Sequence, residues 1–97
     1  MMKLFISQPM NGLSDEEILK QREEAKNLVE YILGEEVEVI DSFIQGAPAD
    51  AKPLWYLGKS IELLATADVV HFCDGWEDAR GCKIERLCAQ EYGLQMI

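Results

Sequence analysis

Residues 67–85 read ADVVHFCDGWEDARGCKIE and decide the fold. Residues 67–73 form the most apolar run of the chain, which is typical of a strand buried on both faces of a parallel sheet. Residues 74–85 then bring together two glycines, a tryptophan, an arginine and four carboxylates before an amphipathic helical pattern. A simple strand-to-helix connection needs only a few polar residues. We therefore take residues 74–85 as the candidate site and Glu85 as its central residue.

The rest of the chain repeats the alternation of strand and helix. Strands are predicted at residues 3–7, 37–40, 67–73 and 94–97, and helices at residues 14–33, 53–66 and 79–92. This order implies right-handed crossovers and a parallel sheet with helices on both faces. Ligands of such sheets bind beyond the carboxyl ends of the strands. The expected ligand edge therefore contains residues 7–12, 41–48 and 74–85.

Local patterns predict the helix boundaries and the buried helix faces. Ser14 and Glu17 have capping-box spacing, and Gly34 is expected to end the first helix. The apolar faces predicted from helical periodicity are Ile18, Arg22, Ala25, Leu28, Val29 and Ile32, then Leu54, Leu57, Ile61, Leu64 and Ala65, then Ile84, Leu87 and Cys88. Residues 43–52 form either a pocket rim or a surface loop. Trp55 and Tyr56 either face the pocket or belong to the core or a subunit contact.

The composition narrows the class of protein. The chain of 97 residues has 18 acidic and 9 basic residues and a net charge of -9. This charge disfavours polynucleotide binding but allows a pocket for a single nucleoside or nucleotide. No apolar run approaches the roughly 20 residues that span a bilayer, and no signal-peptide pattern is present. We expect one cytoplasmic domain without a membrane partner.

The cysteines do not suggest a metal or disulfide framework. Cys73, Cys82 and Cys88 form no CxxC pair, and their odd number suits a reducing compartment. We expect no zinc site or other metal site. Cys82 has no histidine or other base nearby in sequence, so an inert thiol is the favoured interpretation.

Glu85 is the candidate nucleophile of the proposed site. Gly81 lies four residues earlier, on the same helix face, and leaves room for a ligand. A position near a helix N-terminus favours an ionised carboxylate, which can attack an anomeric carbon as in retaining glycosyl transfer. The alternative is a solvated helix residue paired with Lys83 or Arg86.

Neighbouring residues have two interpretations each. Asp78 or Glu77 is a candidate acid that protonates a leaving base, whereas Asp78 also suits the N-cap of the third helix. Arg80 is suited to holding a phosphate or carboxylate, or to a surface ion pair. Trp76 is suited to stacking on a base or sugar, or to covering the strand end.

The loop after the first strand is a second candidate binding segment. Its exposed backbone N–H groups are suited to a phosphate or a sugar hydroxyl. The segment lacks GxxxxGK[ST] and GxGxxG, so neither a P-loop nor a dinucleotide site is indicated. The candidate residues are Ser7, Gln8, Pro9, Met10, Asn11 and Gly12.

These motifs resemble a known family. Residues 5–12, FISQPMNG, resemble the YISGPMTG-like opening of small bacterial and phage proteins similar to nucleoside 2-deoxyribosyltransferases. Residues 67–70, followed by Gly75-Trp76 and by Arg80-Gly81-Cys82-x-x-Glu85, resemble the second signature of the same family. The resemblance covers nearly the whole chain.

The resemblance implies a fold and a site. Gly81, Glu85 and Ala89 match a Gly-x-x-x-Glu-x-x-x-Ala pattern, which implies that Glu85 attacks the anomeric carbon of deoxyribose. The implied fold is α/β, a flavodoxin-like three-layer sandwich with a four-stranded parallel sheet of order 2-1-3-4. Gly75, Trp76, Arg80 and Gly81 join the implied substrate-binding residues. A homo-oligomer without cofactors is expected, with a neighbouring subunit often completing the pocket.

One departure keeps two functions open. Ser60, eight residues before Asp68, stands where that family usually has an aspartate. The first function is an enzyme that transfers or hydrolyses the N-glycosidic bond of a nucleoside or of a nucleoside 5′-monophosphate. The second is a catalytically silent nucleotide-binding or interaction domain of the same fold.

Overall fold

Parallel strands and helices alternate along the computed structural model, which describes residues 1–97. The strands are β1 (Met2–Ser7), β2 (Val37–Val39), β3 (Val69–Phe72) and β4 (Gln95–Met96), and the helices are α1 (Asp15–Leu33), α2 (Pro53–Leu64) and α3 (Arg80–Glu91). The sheet order is β2-β1-β3-β4, with every neighbouring pair parallel. The predicted flavodoxin-like α/β fold is confirmed, and each predicted element ends within about two residues of its observed bounds.

Side-chain alternation along β1 divides the core between the two faces of the sheet. Leu4 and Ile6 pack with Ala25 and Val29 of α1, whereas Phe5 packs on the opposite face. The partners of Phe5 on that face include Leu64 of α2, Val70 of β3 and Ala89 of α3. Because side chains alternate along a strand, Ser7 shares the face of Phe5 and points toward α3.

The ends of α1 are determined locally, as predicted. The Glu17 backbone N–H donates to Ser14 Oγ at 3.1 Å, and Glu17 Oε1 accepts from the Ser14 backbone N–H at 3.2 Å. Gly34 ends the helix with φ of 72°, a left-handed conformation that glycine adopts without strain. None of the helices, α1 included, combines the length and apolar character required to cross a membrane.

The predicted buried faces of the helices were partly wrong. In α1, Leu28 and Ile32 are exposed, although Ile18, Arg22, Ala25 and Val29 are buried as predicted. Leu64 is the only buried residue of α2, and Leu54 is 75% exposed. In α3 the exposed residues include Ile84 and Leu87, and the buried ones are Cys82, Glu85 and Ala89. In α3 a carboxylate, Glu85, therefore faces inward where hydropathy predicts an apolar residue.

Candidate active site

A cleft of about 960 Å³ opens beyond the carboxyl end of β1. Its walls are formed by the end of β1 with the loop after it, residues 42–44, the first two turns of α2, and residues 78–85. A more open depression of about 520 Å³ lies at Met1, Met2, Glu35 and Glu36 and contains none of the predicted site residues. The cleft at the carboxyl edge is therefore the candidate site.

Most, but not all, of the predicted site residues line this cleft. Those that do are Gln8, Met10, Asn11, Asp78, Arg80, Gly81 and Glu85, and Ser7 lies behind Glu85. Pro9, Gly12, Gly75 and Trp76 do not line it. Gly75 instead lies against Pro9. A Cβ built on this glycine would lie 3.7 Å from Pro9 Cγ.

Glu85 is buried in the wall of the cleft without a cationic partner. Its exposed fraction is 7%, and Ser7 Oγ donates a hydrogen bond to its Oε1 at 2.6 Å. The predicted alternative of a solvated residue paired with Lys83 or Arg86 was wrong, because the one ion pair of the structure joins Lys59 and Glu62. The carboxyl is therefore held by a hydroxyl and is not neutralised by a cation.

Burial raises the pKa of the Glu85 carboxyl above its ordinary value, and the hydroxyls of Ser7 and Ser60 oppose that rise. The position of Glu85 near the helix N-terminus predicts the opposite direction, because the helix dipole favours the ionised form. Glu85 lies in the second turn of α3, and the helix dipole weakens beyond the first turn. Because desolvation raises the pKa, Glu85 gains its charge at a higher pH than an exposed glutamate.

The N-terminus of α3 differs from the prediction. Asp78 belongs to a 3-10 turn, Trp76–Asp78, so the prediction that it caps α3 was wrong. The N-cap is Ala79, with extended backbone (φ -106°, ψ 117°) and no side chain to accept a hydrogen bond. The 3-10 turn includes Asp78, which is the residue that spacing alone predicts as the N-cap of α3. As a result Asp78 is exposed beside the cleft, and no side chain caps the first amides of α3.

Trp76 covers the end of β3. Its ring centroid lies 5.8 Å from that of Phe72, and the Arg86 guanidinium lies 4.6 Å from the centre of the Trp76 ring. The same guanidinium lies 5.2 Å from the centre of the Phe72 ring. This arrangement matches the second predicted interpretation of Trp76. It also explains why Arg86 does not pair with Glu85, since the guanidinium is stacked on aromatic rings.

Several residues that line the cleft lie in segments for which the sequence allowed two interpretations. Phe43, Ile44 and Lys52 lie at the two ends of the segment 43–52, which supports its interpretation as a rim. Tyr56 also lines the cleft, with Trp55 packed edge-on against it at a centroid distance of 5.2 Å. The signals for these residues were the irregular composition of residues 43–52 and the position of Tyr56 in the first turn of α2. Their positions depend on how the segment after β2 folds over the sheet edge.

The thiols near the site are in their protonated form at neutral pH. Burial raises the pKa of the Cys73 thiol to about 11, and burial also raises the pKa of Cys82, which lines the cleft. A thiol is a weak nucleophile until it ionises, so Glu85 is the stronger candidate. No three histidine, cysteine, aspartate or glutamate side chains converge as ligands of a metal ion would.

Comparisons with known proteins agree with the fold. A conserved protein from Enterococcus faecalis V583, whose crystal structure is known, superposes with a TM-score of 0.67 at 14% sequence identity. The match covers 99% of this chain and 61% of that one, so this chain spans about three fifths of its neighbour's length. Likeness at this identity shows the fold alone. No curated protein matches the chain. Residues 2–97 match the family described as a domain of unknown function, DUF4406, and the chain therefore belongs to that family.

Proposed function

We propose that this protein cleaves or exchanges the N-glycosidic bond of a nucleoside or nucleotide, with Glu85 as the nucleophile. The observation that carries the proposal is the buried Glu85 carboxyl in the cleft wall, held by Ser7 Oγ at 2.6 Å and free of any cation. A carboxyl in this setting is oriented by its hydrogen bond but not neutralised by an ion pair. The resemblance of residues 5–12 and 67–85 to nucleoside 2-deoxyribosyltransferases supports the same role.

The first step is a substitution at the anomeric carbon. A Glu85 carboxylate oxygen forms a bond to that carbon while the bond from carbon to base nitrogen breaks, and the base leaves with the bonding electrons. Asp78, which lines the same cleft, supplies a proton to the departing base. In the second step a second base, or water, displaces Glu85 from the sugar ester and gives its proton to Asp78, which returns both carboxyl groups to their starting state.

A 5′-monophosphate is a supported variant of the substrate. The cleft has two cationic side chains on its wall, Lys52 and Arg80. The uncapped first turn of α3, which includes Gly81, also lines the cleft. Free amides at a helix N-terminus together with an arginine suit a phosphate dianion. A nucleoside 5′-monophosphate would place its phosphate here and its glycosidic bond at Glu85.

A catalytically silent nucleotide-binding domain is the second candidate. Ser60 lines the cleft at the position where the family that the chain resembles usually has an aspartate. A serine cannot supply the charge of a carboxylate in orienting a sugar or a base. In this case the cleft would bind a nucleotide without breaking it.

The decisive experiment measures base release and base exchange. The protein is incubated with 2′-deoxynucleosides, their 5′-monophosphates and ribonucleotides, and free bases are followed by chromatography. We expect turnover that Glu85→Gln abolishes and that Glu91→Gln, an exposed change on the same helix, preserves. A 2-fluoro-2-deoxy nucleoside should leave a sugar adduct on Glu85 that mass spectrometry detects. Binding without turnover or adduct would favour the silent domain.

We also propose a homo-oligomer. Large exposed apolar side chains support this proposal: Leu54 of α2, which lines the cleft, is 75% exposed, and Leu87 of α3 is 55% exposed. A second copy packed on these side chains would remove apolar area from water. Light scattering after gel filtration measures the mass directly, and a monomer at micromolar concentration would contradict the proposal.

A further inference from the structure

Gln8 contains a buried acceptor that has no partner. The residue is 6% exposed, and its Nε2 donates to the Ile18 carbonyl at 3.0 Å and to Gln21 Oε1 at 2.9 Å. Its Oε1 is buried and accepts no hydrogen bond. Two other buried side-chain atoms lack partners, Arg22 Nη1 and Arg86 Nε, but neither residue lines the cleft. Gln8 does line it.

The orientation of the Gln8 amide is set by its neighbours. A backbone carbonyl can only accept, so the Ile18 carbonyl requires the NH₂ end of the Gln8 amide. Exchanging the nitrogen and oxygen of the amide would set two oxygens against each other at this contact. The NH₂ group is therefore directed to α1, and Oε1 is the end of the amide that has no partner.

We propose that Gln8 Oε1 accepts a hydrogen bond from a hydroxyl or amino group of the nucleoside bound in the cleft. The inference rests on the proposed function, and it makes Gln8 a residue that determines specificity. The cost of a buried acceptor without a donor is recovered when a ligand supplies the donor. Such a site rejects analogues that lack the donor.

The position of Gln8 also indicates which part of the ligand it binds. Ser7 points to Glu85 of α3, whereas Gln8 points to Ile18 and Gln21 of α1, on the other side of the sheet. The end of β1 therefore separates the group that Gln8 binds from the carbon that reacts at Glu85. A neutral donor suits this position, because an anionic group would be repelled by the amide oxygen.

The test compares nucleosides that differ by one donor. Calorimetry measures binding to the Glu85→Gln protein, which retains an acceptor for Ser7 and should not turn over the ligand. The probes are 2′-deoxyadenosine, its analogue without the 6-amino group, and analogues without the 3′- or 5′-hydroxyl. We expect loss of one of these donors to weaken binding about five- to tenfold when Gln8 is present. In the Gln8→Met background, the same loss should change affinity less than about twofold.

Gln21→Met is the matched control, because it removes a partner of Nε2 and leaves Oε1 untouched. It should keep the five- to tenfold discrimination expected for a neutral hydrogen bond, about the same as with Gln21 present. Equal discrimination with Gln8 and with Met at position 8 would overturn the inference and leave Gln8 as a structural link between β1 and α1. If Gln8→Met does not fold, equal affinities for all four probes in the protein that retains Gln8 would overturn it as well.

Failure of the proposed function gives a different result. Discrimination without turnover by the protein that retains Glu85 would support the role of Gln8 and remove the catalytic role of Glu85. Turnover without discrimination would support the catalytic role of Glu85 and remove the role of Gln8 in specificity. If none of the four nucleosides binds, both the inference and the nucleoside assignment are overturned.

Discussion

Ser7 Oγ donates a 2.6 Å hydrogen bond to Glu85 Oε1, although the two residues are 78 positions apart in the chain. The bond joins the end of β1 to the second turn of α3 and lies out of solvent, with Ser7 only 1% exposed. A buried carboxylate without a cation needs such a donor to stay ionised near neutral pH. The contact therefore connects the fold to the proposed chemistry.

Ser7→Ala should raise the pKa of Glu85 further. Burial already raises this pKa, and the Ser7 hydroxyl is the larger of the two interactions that oppose the rise. Removing it should also lower the free energy of unfolding by about 1–3 kcal/mol, because a buried acceptor loses its donor. NMR titration of the Glu85 side-chain carboxyl measures the shift. Ser60→Ala should shift the pKa in the same direction by less, and an unchanged or lower pKa in Ser7→Ala would contradict the assignment.

Glu85→Gln should flatten the dependence of stability on pH. The folded pKa of Glu85 lies above its ordinary value of 4.5, so between the two values the folded state binds more protons than the unfolded state. The free energy of unfolding therefore falls as pH rises through this window, by at most about 1.4 kcal/mol per pH unit for one proton. The Glu85→Gln protein should lack this decline.

Urea unfolding at a series of pH values from 4.5 upward tests this difference. Glu91→Gln, an exposed change on the same helix, should retain the dependence of the unaltered protein. A Glu85→Gln protein with the same slope as the unaltered protein would show that Glu85 is not the group that titrates.

Arg86→Met should destabilise the end of β3. The guanidinium lies 4.6 Å from the centre of the Trp76 ring, and cation–π contacts contribute about 0.5–2 kcal/mol. Fluorescence-detected urea unfolding in a Trp55→Phe background, where Trp76 is the remaining tryptophan, gives both the stability and the environment of the ring. Lys59→Met is the control, since exposed ion pairs such as Lys59–Glu62 contribute about 0–1 kcal/mol. Equal losses in the two variants would argue against the stacked arrangement.

Ala79→Ser should stabilise α3. Ala79 occupies the N-cap in an extended conformation and has no group to accept from the first amides, so a serine hydroxyl there should add about 0.5–2 kcal/mol. Ser14→Ala is the converse change at α1, where it removes an observed capping box and should cost a similar amount. Thermal denaturation should show shifts of opposite sign. A destabilised Ala79→Ser protein would mean that the α3 N-terminus is not open as described.

Local patterns were enough to predict the elements and much of the ligand edge. Capping residues Ser14 and Glu17 and the terminal Gly34 act within one or two turns, so the bounds of α1 could be predicted from sequence. The apolar run at residues 67–73 marked a central strand, and the alternation of elements indicated the ligand edge. Hydropathy could not predict the buried face of α3, since Glu85 is polar and the apolar residues Ile84 and Leu87 are exposed.

The sequence by itself determined the order of strands and helices, the parallel sheet and the presence of carboxylates at its carboxyl edge, because these depend on short-range periodicity and turn chemistry. The tertiary structure decided which polar atoms are buried and which of them have partners. Glu85 is buried and hydrogen-bonded to Ser7, Trp76 packs against Arg86 outside the cleft, and Gln8 has a buried acceptor without a partner. These features arise where β1, α1 and α3 meet, and contacts between distant segments exist only once the sheet has formed.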